Sequence, residues 1–528
     1  MTTFGQMVID ERASLGESMG RVIGGGSRGG PRLLDTQPTT TRRELWAYYL
    51  YYNGDNGVGP QSYSLAILQS CLTAAGHDPA ISPPQQGNCT AGACVVPWGH
   101  GYRDVSSVAM LANGLCFAIM TVLFILLGSA ADYGTLGPRL LLWLTVICWV
   151  AQYCFAVFAK QDQWLPAIVL YMVSYISYGA TLVFYAAVFP RLARFMPHVR
   201  RAREVDLDKA TITRAEYEKV ESLARSHISN VSTAHSNIGY LLTLVLNLSI
   251  LVPLSHNPAA NRYALLLTTT YFVLLGLPWF FLRQARPGSP LPKSTSYLTL
   301  GAQHLLHSLR CASQLPQTLL YLLSFFLLSD GLNTTSTLVS LQQNTTIHFS
   351  FLSLTSLGIL QATTSIFSTL LYHYLHQRLS LRTKTLFQTT NLFSILIPLW
   401  GCTPLLFRDR NMGYMSLPSL IGYNIVFGLF QAPYYAYSQS MMAELTPPGY
   451  EGLFFGLFGT MNRASSVLGP NVLYFITERT GDRTWGFVFL AVICGVAGVM
   501  VCFVDVEKGR RDSREFVGRG AESGVRDP

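Results

Sequence analysis

The chain has 528 residues, 50% of them hydrophobic and only 12% charged, where soluble domains carry about 25% charged residues. So few charges exclude a water-soluble globular enzyme. The formal net charge of +9 is scattered over short segments between apolar runs, which excludes a nucleic-acid binder with one basic face. No phosphate-binding loop and no Cys/His cluster of zinc spacing occurs in the sequence, so neither ATP-driven pumping nor a metal or other cofactor is expected.

Residues 1–44 read as a polar, glycine-rich tail without the basic-then-apolar layout of a cleavable signal peptide, so the first apolar span is expected to serve as its own insertion signal. A crossing helix needs roughly 20 apolar residues. Twelve candidate spans follow, at 45–72, 107–131, 138–159, 165–189, 233–253, 264–282, 316–340, 349–371, 385–405, 417–441, 453–477 and 485–504. They divide the chain into an N-terminal six-helix bundle (45–282) with a charged loop at 190–232, a linker (283–315), a C-terminal six-helix bundle (316–504) and a tail (505–528). With the N-terminus in the cytosol, 29 of the 37 Lys and Arg fall on the cytoplasmic side and 7 on the other, the asymmetry the positive-inside rule requires.

The first span is interrupted by Asn53-Gly54-Asp55-Asn56-Gly57-Val58-Gly59-Pro60. A carboxylate at mid-bilayer costs about 2.5–3.5 kcal/mol on insertion scales, so Asp55 needs a reason to be there. The loop after this span holds the glycosylation sequon at Asn88 and the pair Cys89 and Cys94, which can close a small disulfide in an oxidising lumen. In the fourth span Tyr171, Tyr175, Tyr178 and Tyr185 share a helical face. The seventh span carries a second polar interruption, with Asp330, Gly331, Asn333 and Thr334, and ends at another sequon, Asn344. The tenth holds Gln431, Tyr434 and Tyr435, and the eleventh holds Arg463, the one basic residue placed inside a span.

Matching polar breaks in two halves point to a transporter's binding site. Asp55 and Asp330 then bind a substrate ammonium or a proton, or else cap helix breaks by accepting backbone N–H groups. Asn56, Asn333 and Thr334 supply neutral hydrogen bonds, and Gly57 and Gly331 expose backbone. Arg463 either holds a substrate carboxylate through a two-pronged contact or pairs with Asp330 or Glu444. Tyr178 and Tyr434 line a cavity or pack helices together.

Three stretches taken together carry a resemblance. These are Glu44-Leu45-Trp46-Ala47-Tyr48-Tyr49 leading into the first break, Gly128-Ser129-Ala130-Ala131-Asp132-Tyr133-Gly134, and Leu327-Leu328-Ser329-Asp330-Gly331-Leu332-Asn333-Thr334-Thr335. The chain resembles the fungal autophagy-related vacuolar amino-acid effluxers, a branch of the major facilitator superfamily. The resemblance implies an all-α membrane protein of the major-facilitator type. It also implies residence in the vacuolar membrane and export of leucine and other neutral amino acids to the cytosol after autophagic protein breakdown. Gly128 and Asp132 match the superfamily's Gly-x-x-x-Asp signature, a latch at the inner face. Tyr133 stands where an Arg often follows, and Arg139 is the candidate substitute. Beside this stand transport of another small solute and a non-transporting receptor or scaffold that uses the charged loop. The lipid bilayer is a partner in all three, an amino-acid substrate and protons are partners in the first, and protein partners are unknown.

Overall fold

The computed structural model describes residues 37–79, 89, 94–99, 101–127, 135–158, 163–186, 188–203, 211–255, 257, 259–286, 297–348, 350–379, 382–407, 412–447 and 451–522. The expected sites Asn88, Gly128 and Asp132 lie outside these described residues.

Backbone polar groups in a bilayer must be satisfied within the protein, which leaves helices as the main element. Helix α1 (Arg42–Gly54) starts at Thr41, whose hydroxyl accepts the Glu44 N–H. It stops at Asp55, and the chain resumes as a π-helical turn (Val58–Tyr63) and helix α2 (Ser64–Ala75). Gly57 sits between them at φ 87°, a left-handed conformation that glycine adopts without a Cβ clash. A hairpin follows, β1 (Val95–Trp98) and β2 (Gly101–Asp104), antiparallel with Val95 opposite Asp104. It is a small β element that the all-helical reading omits. Cys89 and Cys94 are joined in a disulfide at its base.

The N-terminal half continues with α3 (Val105–Leu127), α4 (Leu136–Phe158), α5 (Trp164–Ala186), the short α6 (Phe189–Arg194) and α7 (Pro197–Arg201), α8 (Arg214–Leu251) and α9 (Ala260–Leu282). The expected loop 190–232 is therefore largely helical. A capping box between Thr213 and Glu216 starts α8, and no Gly or Pro breaker stops it before Leu251 except the tolerated Gly239. Helix α10 (Tyr297–Ser313) occupies the linker. The C-terminal half comprises α11 (Pro316–Thr346), α12 (Phe351–Leu379), α13 (Thr383–Gly401), the short α14 (Thr403–Phe407), α15 (Leu417–Leu445), α16 (Glu451–Ser465), α17 (Leu468–Thr480) and α18 (Thr484–Phe503), then a final helix α19 (Val506–Glu522).

Among the described residues, seven helices are long and apolar enough to cross a membrane by length and composition: α3, α4, α5, α8, α9, α12 and α18. Large side chains such as Trp143, Phe281 and Phe503 lie open on their outer faces, as lipid-facing surfaces require. The other long segments fall short because they are broken or carry buried polar residues, Asp55, Asp330 and Asn424 among them.

The expected interruption of the seventh span is absent. Helix α11 runs unbroken from Pro316 to Thr346 through Asp330-Gly331. Gly331 serves close packing instead: a Cβ there would run into the Cys494 sulfur of α18. The break in this half falls between α16 and α17, just before Gly469-Pro470, where proline lacks an N–H to continue the ladder.

The halves meet through α8 against α12 and α3 against α16 and α17. At the face where α1 begins, a buried Arg286 guanidinium grips both Glu44 carboxylate oxygens at 2.7 Å and donates to the Pro38 carbonyl at 3.0 Å. This pair ties the start of α1 to the segment after α9.

Candidate functional site

A cavity of about 370 Å³ lies between the two halves. The π-helical turn directs Gln61 and Tyr63 into it, α2 adds Leu65, α3 contributes Asn113, and α5 contributes Tyr171 and Tyr175 one helical turn apart. From the other half, α11 lines it with Asn333, Ser336, Thr337, Ser340, Gln343 and Asn344. These positions recur every three or four residues and so form one polar stripe on the helix. Gln361 of α12 and Gln431 and Tyr435 of α15 complete the wall. The lining mixes amides, hydroxyls and phenols with apolar side chains such as Leu65, Phe117, Leu354 and Phe427, and has no carboxylate and no cation among the described lining residues. Neutral donors and acceptors of this kind suit a small polar solute, and one easily released.

On the hairpin side the halves are bolted together. The Tyr63 and Thr355 hydroxyls meet at 2.5 Å, Gln69 Nε2 donates to the Leu341 carbonyl at 3.0 Å, and Asn344 Nδ2 donates to Gln69 Oε1 at 3.1 Å. Asn113 Nδ2 reaches Thr337 at 3.2 Å. Farther out, Arg103 of β2 pairs with Glu478 of α17 at 2.5 Å, and Asp104 with Arg483 at 3.7 Å. The hydrogen bond from Arg103 to Glu478 holds the Arg103 guanidinium above its ordinary range.

Of the residues singled out from the sequence, Asn333 lines the cavity and Asp55 and Asp330 do not. Asn333 Nδ2 donates to Ser466 at 2.9 Å, and its Oδ1 accepts from the Tyr435 hydroxyl at 3.1 Å. Asp55 is buried behind the wall, where Oδ2 accepts from Thr181 at 3.0 Å and Oδ1 has no partner. Asp330 is buried too; Oδ1 accepts the Gly469 N–H at 2.9 Å and the Thr334 hydroxyl at 3.2 Å, and Oδ2 has no partner. Asp330 thus caps the break in the eleventh span, not one in its own helix. Asn56 likewise serves a break: Oδ1 accepts the Val58 N–H, and Nδ2 donates to the Asn53 carbonyl and to Thr243.

The remaining candidates are in other surroundings. Tyr178 covers Gly57, where a Cβ would stand 2.6 Å from its hydroxyl. Tyr434 is packed against Phe387 with its hydroxyl unbonded. Arg463 is half-buried on α16 with its guanidinium carbon 5.9 Å from the Phe124 ring of the other half. Neither expected carboxylate takes it, since Glu444 pairs with Arg510 at 3.1 Å and Asp330 is engaged as described. Arg139 is exposed on α4. Asn344 does not fit glycan attachment, because it is buried and its side-chain nitrogen is bonded to Gln69 inside the gate.

The sequence reading passed over the polar stripe of α11 beyond Thr334. Its signal was the three-to-four spacing of Ser, Thr, Gln and Asn from Ser336 to Asn344.

The profile of the family described as vacuole effluxer Atg22 like matches residues 40–514. The chain belongs to the Atg22-like vacuole effluxer family. Among its relatives, Autophagy-related protein 22 of Gibberella zeae is 24% identical over 91% of this chain and 82% of that protein. Autophagy-related protein 22-1 of Penicillium rubens is 26% identical over 85% and 83%. In fold, this effluxer-family chain is similar to a POT family transporter in complex with 5-aminolevulinic acid, with a TM-score of 0.56 at 11% identity over 90% of this chain and 100% of that one. It is also similar to the inward-open xylose transporter XylE from E. coli, with a TM-score of 0.52 at 11% identity over 89% and 98%. The fold is of the major-facilitator type, and this member of the Atg22-like family is a membrane transporter.

Proposed function

We propose that the chain is a secondary transporter of the vacuolar membrane that carries leucine and other neutral amino acids from lumen to cytosol. Twelve crossings in two six-helix halves, with both termini cytosolic, rock about the central cavity. The observation that carries this reading is the cavity itself: uncharged, with polar and apolar walls, lying between the halves and closed on the hairpin side. Asn333, Gln431 and the tyrosine faces offer acceptors and aromatic surface to an ammonium. Arg463 stands outside the cavity lining, but its charge acts on the lining residues Tyr175 and Tyr435; without a carboxylate partner among the described residues, it offers its fork to a substrate carboxylate as the halves move.

Purified protein in liposomes, loaded with unlabelled leucine, should accumulate labelled leucine by counterflow. Arg463→Gln should weaken leucine binding by roughly 10–100-fold, the worth of one charge-assisted hydrogen bond. It should leave inhibition by leucinol, which has the amine but no carboxylate, unchanged. Absence of counterflow with every amino acid tested rejects the reading.

A second element has its own support. The unpartnered oxygens Asp55 Oδ1 and Asp330 Oδ2 are places where a proton can sit, so coupling to a proton gradient is part of the proposal, with these acids acting behind the cavity wall and not as ligands.

A further inference from the structure

At the face where α1 begins, an open groove of about 570 Å³ runs along the outside of α1 and α9. Its bed is apolar, formed by Trp46, Ala47, Leu50, Pro278 and Leu282. Its mouth is formed by Arg42 and Arg43, both exposed. Neither arginine is in an ion pair among the described residues. The nearest acid in sequence, Glu44, is buried and fully taken by Arg286. Trp46 and Leu282 are 48% and 46% exposed in the protein alone, and together with the rest of the bed they form a contiguous apolar surface that an acyl chain would cover.

From this juxtaposition of a chain-sized apolar bed and two unneutralised guanidinium groups, we propose that the groove binds an anionic glycerophospholipid of the leaflet on the α1 side. The phosphate and its acidic headgroup sit between Arg42 and Arg43, and one acyl chain lies along Leu50, Pro278 and Leu282. The charge pattern selects the anionic lipid: a zwitterionic headgroup brings its own cation to two arginines and gains little. Trp46 lies at the junction of bed and mouth, the level at which tryptophan anchors proteins at the membrane interface. The site is separate from the central cavity and does not depend on what the cavity carries.

The test uses the full-length protein in neutral detergent. It is titrated with dioleoyl-phosphatidylserine, with dioleoyl-phosphatidylcholine, and with glycerophosphoserine as the headgroup alone. Native mass spectrometry reads the first bound lipid. Each arginine near an anionic lipid is worth roughly fivefold in partition, so the pair gives about a 30-fold preference for phosphatidylserine. Arg42→Gln with Arg43→Gln should erase that preference and leave phosphatidylcholine binding as it was. Leu282→Gln, at a half-exposed position that folding tolerates, should weaken both lipids alike. Equal binding of the two lipids by the unaltered protein, or a preference that survives in the double variant, overturns the proposal. So does glycerophosphoserine competing as well as the intact lipid, since the apolar bed would then be idle.

Discussion

Asp330 does two separable things with its two oxygens. Oδ1 accepts the Gly469 N–H released by the break between α16 and α17, and Oδ2 faces no donor. Removing the acceptor leaves a buried N–H unsatisfied, which costs about 1–3 kcal/mol. Asp330→Ala should therefore lower the thermal midpoint of the detergent-purified protein. Asp330→Asn keeps the Oδ1 acceptor and removes the protonatable group. It should fold like the unaltered chain and retain leucine counterflow, yet lose accumulation driven by a pH difference across the liposome membrane. If Asp330→Asn still accumulates leucine in step with the imposed pH difference, the acid is a helix cap and nothing more.

At the scale of elements, the first break was legible because Gly54, Gly57, Gly59 and Pro60 crowd into about two helical turns, leaving no route for a continuous ladder. Its sharpest constraint is Gly57, at φ 87° with Tyr178 pressed over it. Alanine there costs about 1–2 kcal/mol for handedness alone, and its Cβ meets the Tyr178 hydroxyl. Gly57→Ala should lower the thermal midpoint, and adding Tyr178→Phe should recover only part, because removing the oxygen relieves the clash and not the backbone. Full recovery would show that φ is not the constraint. The second break was misread because Asp330-Gly331 has the same letters but a different environment. One oxygen of the acid is taken by the Gly469 N–H of a neighbouring helix and the glycine packs against the Cys494 sulfur, so α11 has no need to unwind. Neither partner can be seen in a local window of sequence. Helices lie at the segments that the hydropathy pattern marked, although only seven among the described residues are long and apolar enough to cross a membrane by length and composition. The cavity wall was only half visible: Asn333 and Gln431 stand out in the sequence, but Ser336, Thr337, Ser340 and Gln343 look like any other polar residues of their span until both halves are docked.

For the whole molecule, the question is what holds the halves shut on the hairpin side. The outermost bonds are ionic and reciprocal: β2 offers Arg103 and Asp104 in succession, and α17 with the start of α18 offers Glu478 and Arg483. Inside them lies the neutral seal of Tyr63, Gln69, Thr355 and Asn344. On the proposed rocking of the halves, the neutral bonds can be exchanged for bonds to water or solute, and the ion pairs are then expected to set the bias between the two states. An exposed pair is worth about 0.2–1 kcal/mol, up to roughly fivefold in the population of the hairpin-open state. Arg103→Glu places two acids face to face and should raise that population, as should Glu478→Arg, while the double exchange restores the attraction with reversed polarity. The readout is maleimide labelling, from the hairpin side, of a cysteine placed in the cavity as Ser340→Cys, on a background lacking the exposed Cys502. Faster labelling in each single variant and recovery in the double assigns the pair to gating. If the double labels as fast as the singles, the ion pairs only dock the hairpin, and the bias between states resides in the amide seal beneath them.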